Sequence, residues 1–177
     1  LDMRMSGQQT IARDAVDAKA SIAGMQTAVR DVRLANNPAD LQKANDSLAA
    51  RLKSASHLSD EMLKLSRSAE NRARIEKLKA RAADYVKGTQ QIVAVRGEVI
   101  AAAGSADAAA KIAKLNEEAV RIAREVTLPI AAELAALVDQ IAEFAKHGVQ
   151  EQAAQAAGEM ATTEWESMAL GIGTILL

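Results

Sequence analysis

An apolar repeat near the start of the chain constrains the fold more than any other feature of the sequence. From residue 11 to residue 32, apolar side chains recur at alternating steps of four and three: Ile11, Ala15, Ala18, Ile22, Met25, Val29 and Val32. This spacing places them on one stripe of an α-helix and is typical of helices that pack side by side. Only 2% of the residues are aromatic and two are prolines, which also favours long helices.

Two helices are predicted in the first part of the chain. Helix one spans about residues 4–35 and ends at Asn-Asn-Pro (36–38), because asparagine tolerates the conformation that ends many helices and proline disfavours helix in the preceding residue. Pro38 then opens helix two, roughly residues 38–67, with Asp40 in its first turn. Its apolar stripe consists of Leu41, Leu48, Leu52, Ala55, Leu58, Met62 and Leu65.

A third helix follows the polar stretch SRSAENR (66–72), which predicts a tight reversal. Either Ser68 or Asn71 is expected to cap the new helix, and a helix continuous through this stretch is the alternative. Helix three ends at Gly104. Its stripe consists of Ile75, Leu78, Ala82, Tyr85, Thr89, Ile92, Arg96, Val99 and Ala103.

The fourth helix is the longest, with Ser105 as its predicted N-cap and an extent of about residues 106–170. Its apolar rhythm changes to steps of four around Pro129. An inserted four-residue step locally unwinds a supercoil, and the proline removes one backbone hydrogen bond. We therefore expect a kink near residues 125–130.

These elements predict an all-α fold, an antiparallel up-down-up-down four-helix bundle with a long, kinked last helix. Helix one would be roughly 50 Å long and helix four nearly twice that, at about 1.5 Å per residue. The last ~25 residues of helix four would therefore extend past the end of helix two.

The chain ends in EWESMALGIGTILL (164–177), where charge disappears after Glu166. We predict a bundle domain at residues 1–166 and the start of a truncated transmembrane helix at residues 167–177. Trp165 would lie at the membrane interface, where tryptophan is enriched, and glycines are more frequent in membrane helices than in soluble ones. As helix, residues 167–177 cover only about half of a ~30 Å hydrocarbon core, and a frayed or core-docked C-terminus is the alternative.

Several chemistries are not expected. The net charge of −1 and the lack of a long basic block argue against nucleic-acid binding. There is no cysteine, and His57 and His147 lack metal-binding neighbours, so we predict no metal and no cofactor. Neighbouring carboxylates such as Glu117 and Glu118 point to different helix faces, and no catalytic motif is present, so we predict that the protein is not an enzyme.

Three segments carry a resemblance to a known family. They are MQTAVRDVRLANNP (25–38), the helix-three register ARIEKLKARAADYVKGTQQIVAVRGEVI (73–100), and the GSADAAAKI restart (104–112) before a long proline-containing helix. From end to end the chain resembles the extracytoplasmic sensor domain of bacterial methyl-accepting chemotaxis proteins, and also similar domains of some sensor histidine kinases. The long last helix is similar to the two-storey variety of these domains, which has a further N-terminal portion.

The resemblance implies a receptor in the bacterial inner membrane with this domain in the periplasm. It implies a homodimer, held in the membrane through its C-terminal helix, that binds a small molecule or a periplasmic binding protein. The ligand site would lie among the membrane-distal helix ends or at the dimer interface. A small displacement of the last helix would pass the signal to a cytoplasmic module.

Three arginines are the candidate ligand-binding residues. Arg96 occupies a stripe position of helix three, where a buried guanidinium requires an acidic partner or an anionic ligand such as an organic acid. Arg30 and Arg33 lie on nearly one face at the end of helix one, which the bundle places beside the end of helix three. Thr89 and Tyr85 lie one and two turns below Arg96 and would donate hydrogen bonds to the same ligand. Such arginine forks suit carboxylates.

Alternative interpretations stay open for both the site and the chain. In the alternative for the site, Arg30 and Arg33 are solvated or paired with Asp31, Asp40 or Glu98. Arg96 then extends out of a stripe that is only approximately assigned. Tyr85 is then a core aromatic with its hydroxyl at the surface. For the whole chain, one rival is a soluble Ala-rich scaffold or interaction protein of the phasin-like or coiled-coil kind. A second rival is a helical protein that inserts into membranes through its apolar tail.

Overall fold

The computed structural model describes the backbone of residues 6–175 and the side chains of residues 6–163, Trp165 and Met168. Within these residues the fold is all helical and contains no strand, as predicted. Four helical segments are separated by three short turns, and the last contains one π-helical stretch. Their bounds are α1 Gly7–Leu34, α2 Pro38–Leu65, α3 Ala69–Ala102, α4 Ala108–Ile122, the π segment Ala123–Thr127 and α5 Leu128–Ile175.

Side-chain caps fix the first two helices. Ser6 and Gln9 form a reciprocal capping box at the start of α1. At the first turn, Ala35 ends α1 in an extended conformation, and Asn37 accepts a hydrogen bond from the Asp40 backbone N–H at 2.8 Å. The asparagine therefore starts α2 as its N-cap, which corrects the prediction that it serves to end α1.

The start of α3 confirms one predicted cap, and the start of α4 corrects another. Ser68, not Asn71, caps α3, since its Oγ accepts from the Asn71 N–H at 3.2 Å. After α3, Gly104 has a φ of +90°, a left-handed conformation that favours glycine. Ser105 does not cap α4 as predicted, because its hydroxyl donates back to the Ala102 carbonyl at 3.1 Å. Asp107 is the N-cap and makes no side-chain capping bond.

The predicted apolar stripes of α1 and α3 supply much of the core, whereas only Leu48, Ala55 and Met62 of the stripe predicted for α2 are buried. All seven stripe residues of α1 are buried, as are most of those predicted for α3, although Ala102 rather than Ala103 is buried at its end. The larger core cluster includes Leu48, Met62 and Leu134. A smaller second cluster, built on Val32, Ala44, Ile92 and Ile122, lies near the α1–α2 turn.

The two halves of the last helix have different surroundings. α5 contacts both α1 and α3, whereas α4 contacts α3 and no other long helix among the described residues. Only Ala108 and Ile122 of α4 are fully buried. Within residues 6–175 no second helix covers the outer face of α4, and a groove lies between α3 and α4.

The π segment coincides with the irregularity that the sequence predicts. Ala123–Thr127 is π-helical, and the Leu128 N–H bonds to the Ala123 carbonyl five residues earlier, just before Pro129. Such single π turns are often found at functional sites. Gly88 of α3 faces this segment, where a Cβ would lie 3.0 Å from Val126 Cγ1. The bend predicted near residues 125–130 stays a prediction.

The second half of α5 runs free of the bundle. Every described side chain from residue 151 onward is exposed, including Trp165 at 74%. The helix continues past residue 170, through Gly171 and Gly173 to Ile175. Among the residues described, no helix is long and apolar enough to cross a membrane. The division at residue 167 stays a prediction, and residues 176–177 lie outside the described part.

Gly88→Ala tests the close approach of α3 to the π segment. An added methyl would lie 3.0 Å from Val126 and 3.2 Å from Thr127, whose β-branched side chains are stiff. We therefore expect the free energy of unfolding to fall by about 1 kcal/mol, although alanine has a better helix propensity than glycine. Gly97→Ala is the matched control on α3, since its methyl would lie 3.7 Å from Leu41. The control should gain up to about 1 kcal/mol in urea unfolding followed by circular dichroism. A stabilising Gly88→Ala would contradict tight packing here.

A buried carboxyl on α1 makes stability depend on pH. Asp14 is 1% exposed, and its Oδ1 accepts from Arg13 Nη2 at 3.3 Å, while Oδ2 has no hydrogen-bond partner among the described residues. Burial, with a smaller contribution from the Glu61 charge, raises the pKa of Asp14 above its ordinary value of 3.8. The folded state therefore holds the Asp14 proton more tightly than the unfolded state does. As pH rises through 3.8 and above, ionisation of Asp14 lowers the free energy of unfolding.

Asp14→Asn should therefore stabilise the fold at pH 7 by roughly 1 kcal/mol and have a smaller stabilising effect near pH 3. Thermal unfolding of both proteins across this pH range measures the difference. Asp31→Asn on the same helix is the control, because Asp31 is exposed and should show little change. An Asp14→Asn effect that is constant with pH would show that the buried charge is not its cause.

Candidate functional site

The groove between α3 and α4 is the candidate site. It holds a cavity of about 480 Å³, within the range of small-molecule sites in proteins. Its apolar lining comes from α3, α4, the π segment and the first residue of α5, and consists of Ile92, Val95, Val99, Ala119, Val120, Ala123 and Leu128. Asn116 and three arginines complete it. We call this the α3–α4 groove.

A smaller cavity of about 210 Å³ adjoins the groove. The two share Arg33, Ile92, Ala123 and Leu128, so they lie next to each other, and Tyr85 lines the smaller one. The lining thus combines the end of α1, the second half of α3 and the helix around the π segment.

Two of the three predicted arginines meet in the groove. Arg33, which is exposed, and Arg96, which is half-buried, both line it, whereas Arg30 lines neither cavity. The third lining arginine is Arg124, in the π segment, which sequence reasoning missed. A signal for it existed, because Asn116, Val120 and Arg124 follow each other at steps of four and so share a helix face.

Arg96 has a different partner from the one the sequence predicts. Its side chain is half-buried, and Nε donates to the Ala35 carbonyl at 2.8 Å while Nη2 donates to Asn36 Oδ1 at 3.3 Å. The guanidinium therefore donates to two oxygen acceptors in the turn after α1, and its burial requires no carboxylate. Its Nη1 has no hydrogen-bond partner among the described residues and remains available to a ligand.

Thr89 and Tyr85 contribute unequally. Thr89 is fully buried, its hydroxyl donates to the Tyr85 carbonyl at 2.9 Å, and it lines neither cavity. Tyr85 is 4% exposed and lines the smaller cavity. Burial raises the pKa of the Tyr85 hydroxyl, an effect that the positive charge of Arg33 opposes. Tyr85 is therefore neutral at physiological pH and can act as a hydrogen-bond donor.

The charged residues that line the groove are all arginines. No aspartate or glutamate lines either cavity, and none of the ion pairs between described residues uses Arg33 or Arg124. The depression next to the groove contains Glu117 and Glu125, but Glu125 is held by Arg121 at 2.9 Å. Arg121 also binds Glu118 at 2.6 Å, which lowers the pKa of that carboxyl.

The alternative pairings of Arg30 and Arg33 with Asp31, Asp40 or Glu98 do not form in the described part of the chain. No group of three or more histidine, aspartate or glutamate side chains within it could hold a metal ion. No family model, curated protein or solved structure matches the chain. The groove itself offers the guanidinium groups of Arg33 and Arg124, which form no ion pair with a described residue, beside an apolar wall.

Arg96→Ala should lower the free energy of unfolding by about 1 kcal/mol, because it removes two hydrogen bonds that satisfy the α1–α2 turn. Arg124→Ala is the matched control, since Arg124 is exposed and its loss should change stability by less than about 0.5 kcal/mol. Urea unfolding measures both. Equal stability of the two variants would show that the Arg96 bonds contribute nothing to the fold.

Proposed function

We propose that this chain is the extracytoplasmic sensor domain of a bacterial transmembrane receptor, related in architecture to methyl-accepting chemotaxis proteins, and that it binds a small anionic ligand in the α3–α4 groove. One observation carries the ligand proposal. Arg33, Arg96 and Arg124 line one cavity that contains no carboxylate. Guanidinium groups that share a lining without a carboxylate among the described residues favour an anion, and they bind carboxylates with good geometry.

The proposed architecture is an up-down-up-down bundle of antiparallel helices, bent at the π segment. The short turns at residues 35–37, 66–68 and 103–107 support it, because they require each helix to return along its predecessor. The bend is supported by the π segment, where the regular helical hydrogen bonding is interrupted just before Pro129.

The proposed relay is the last helix. Arg124 and Leu128 line the groove at and just after the π segment, and α5 continues from there along α1 and α3. Because the same helix contacts the ligand and extends beyond the bundle, a ligand that shifts it at the groove would displace its far end. This is the output that a membrane receptor requires.

The membrane, the dimer and the compartment belong to the same proposal. The exposed part of α5 from residue 151 supports a stalk that leaves the bundle, and Trp165 would mark the membrane surface. We propose a homodimer in the inner membrane with this domain in the periplasm. We propose that the domain binds an organic acid or a periplasmic binding protein and catalyses no reaction.

A soluble scaffold or interaction protein is the second candidate. The observation that favours it is the same exposed part of α5, where alanines and Met160, 66% exposed, offer a surface for another helix. In this candidate the arginine groove would have no ligand, and self-association or binding of a partner helix would be the activity.

Calorimetric titration with a panel of organic acids tests the proposal. At least one acid should bind, and Arg124→Ala should weaken that binding about tenfold or more, since hydrogen bonds to charged groups contribute roughly 1.5–3 kcal/mol. Arg30→Ala is the control, because Arg30 lines neither cavity. Absence of binding by every acid, or equal effects of the two variants, would reject the groove as an anion site and favour the scaffold.

A further inference from the structure

We infer that the ligand of the α3–α4 groove is an amphipathic monocarboxylate, with one acid group and an apolar body, rather than a hydrophilic polyacid. This inference rests on the proposed function, because it assigns a chemical class to the anion. It depends on how polar and apolar groups are distributed over the lining.

Most of the side chains that line the larger cavity are apolar, and an acid group alone would not contact them. Apart from the arginines and Asn116, every side chain that lines the larger cavity is aliphatic. A ligand with several carboxylates or hydroxyls would press some of them against these aliphatic groups without hydrogen-bond partners, which is costly. An apolar body would instead exclude water from this wall.

Two apolar side chains of the lining are largely exposed to water, and a bound ligand would cover part of their surface. Val120 is 60% exposed and Leu128 is 64% exposed, although both are large and apolar. Contact with an apolar ligand would remove part of their surface from water, a gain that scales with the area covered. Neither contributes to the two core clusters, so their apolar character is not needed for the fold.

The size and charge of the groove fit one small molecule. A volume of about 480 Å³, extended by the adjoining 210 Å³, accommodates an aromatic ring or a medium-length chain. The guanidinium groups of Arg33 and Arg124 and the free Nη1 of Arg96 are the donors available for the acid. Tyr85 lies at the end of the smaller cavity and supplies a further aromatic surface there.

The test uses calorimetric titration of the full chain with benzoate, 3-phenylpropionate and octanoate, with the matching neutral amides, and with succinate and citrate. At least one monocarboxylate should bind at least tenfold more tightly than its amide and than either polyacid. Leu128→Ser and Val120→Ser should each weaken this binding about fivefold or more and leave the thermal unfolding temperature unchanged. Val16→Ser, at a site on α1 that is 58% exposed and lines neither cavity, should not affect binding.

The outcomes separate the inference from the proposed function. If succinate or citrate binds more tightly than every monocarboxylate and Arg124→Ala abolishes that binding, the ligand class is wrong but the anion site stands. Equal binding of an acid and its amide overturns the inference, because the arginines would then not recognise the carboxylate. If no acid binds at all, both the inference and the proposed function fail.

Discussion

Every described helix has an apolar stripe that packing must cover. Because the helices differ in length, the rest of the structure depends on which parts of each stripe find a neighbouring helix. α1 and α2 have 28 residues each, α3 has 34, and the last helical segment continues from Ala108 to Ile175. The central parts find several neighbours and form the main core. At one end α4 has only α3 beside it, and at the other end α5 has no neighbour among the described residues. The groove and the free helix are thus two consequences of one mismatch in length.

Two arginines of α3 hold the shorter helices to it at their ends. Arg72 Nη1 donates to the carbonyls of Leu63, in the last turn of α2, and of Ser66, just after α2. Arg96 donates to the carbonyl of Ala35, just after α1. Carbonyls at a helix end lack partners within the helix, so an arginine from a neighbouring helix stabilises the turn and fixes its position. Because Arg96 also lines the groove, the same bond that closes the α1–α2 turn places a guanidinium beside the apolar wall.

Periodicity in the sequence predicted the helices well because burial in this fold follows one stripe per helix, as in α1. The caps were less predictable: Ser68 and Ser105 both follow the sequence pattern, but only Ser68 accepts the backbone bond, because Ser105 turns back to Ala102. The candidate site was half predictable. Arg33 and Arg96 were found from their spacing and stripe. Arg124 shares a helix face with Asn116 and Val120, but that this face borders a groove depends on α4 having only α3 beside it among the described residues, a tertiary feature that a stripe does not encode.

The position of the π segment bears on how the proposed receptor would work. A ligand shifts an equilibrium between two conformations only if it binds one of them more tightly. Arg124 lies inside the π segment and Leu128 directly after it, so a change from π to regular α-helical bonding would move both relative to Asn116 and Ala119, which lie before it. A ligand that contacts residues on both sides of the segment would therefore discriminate between the two hydrogen-bonding patterns. The same change would rotate α5 as a unit, which gives the proposed relay a defined mechanical step.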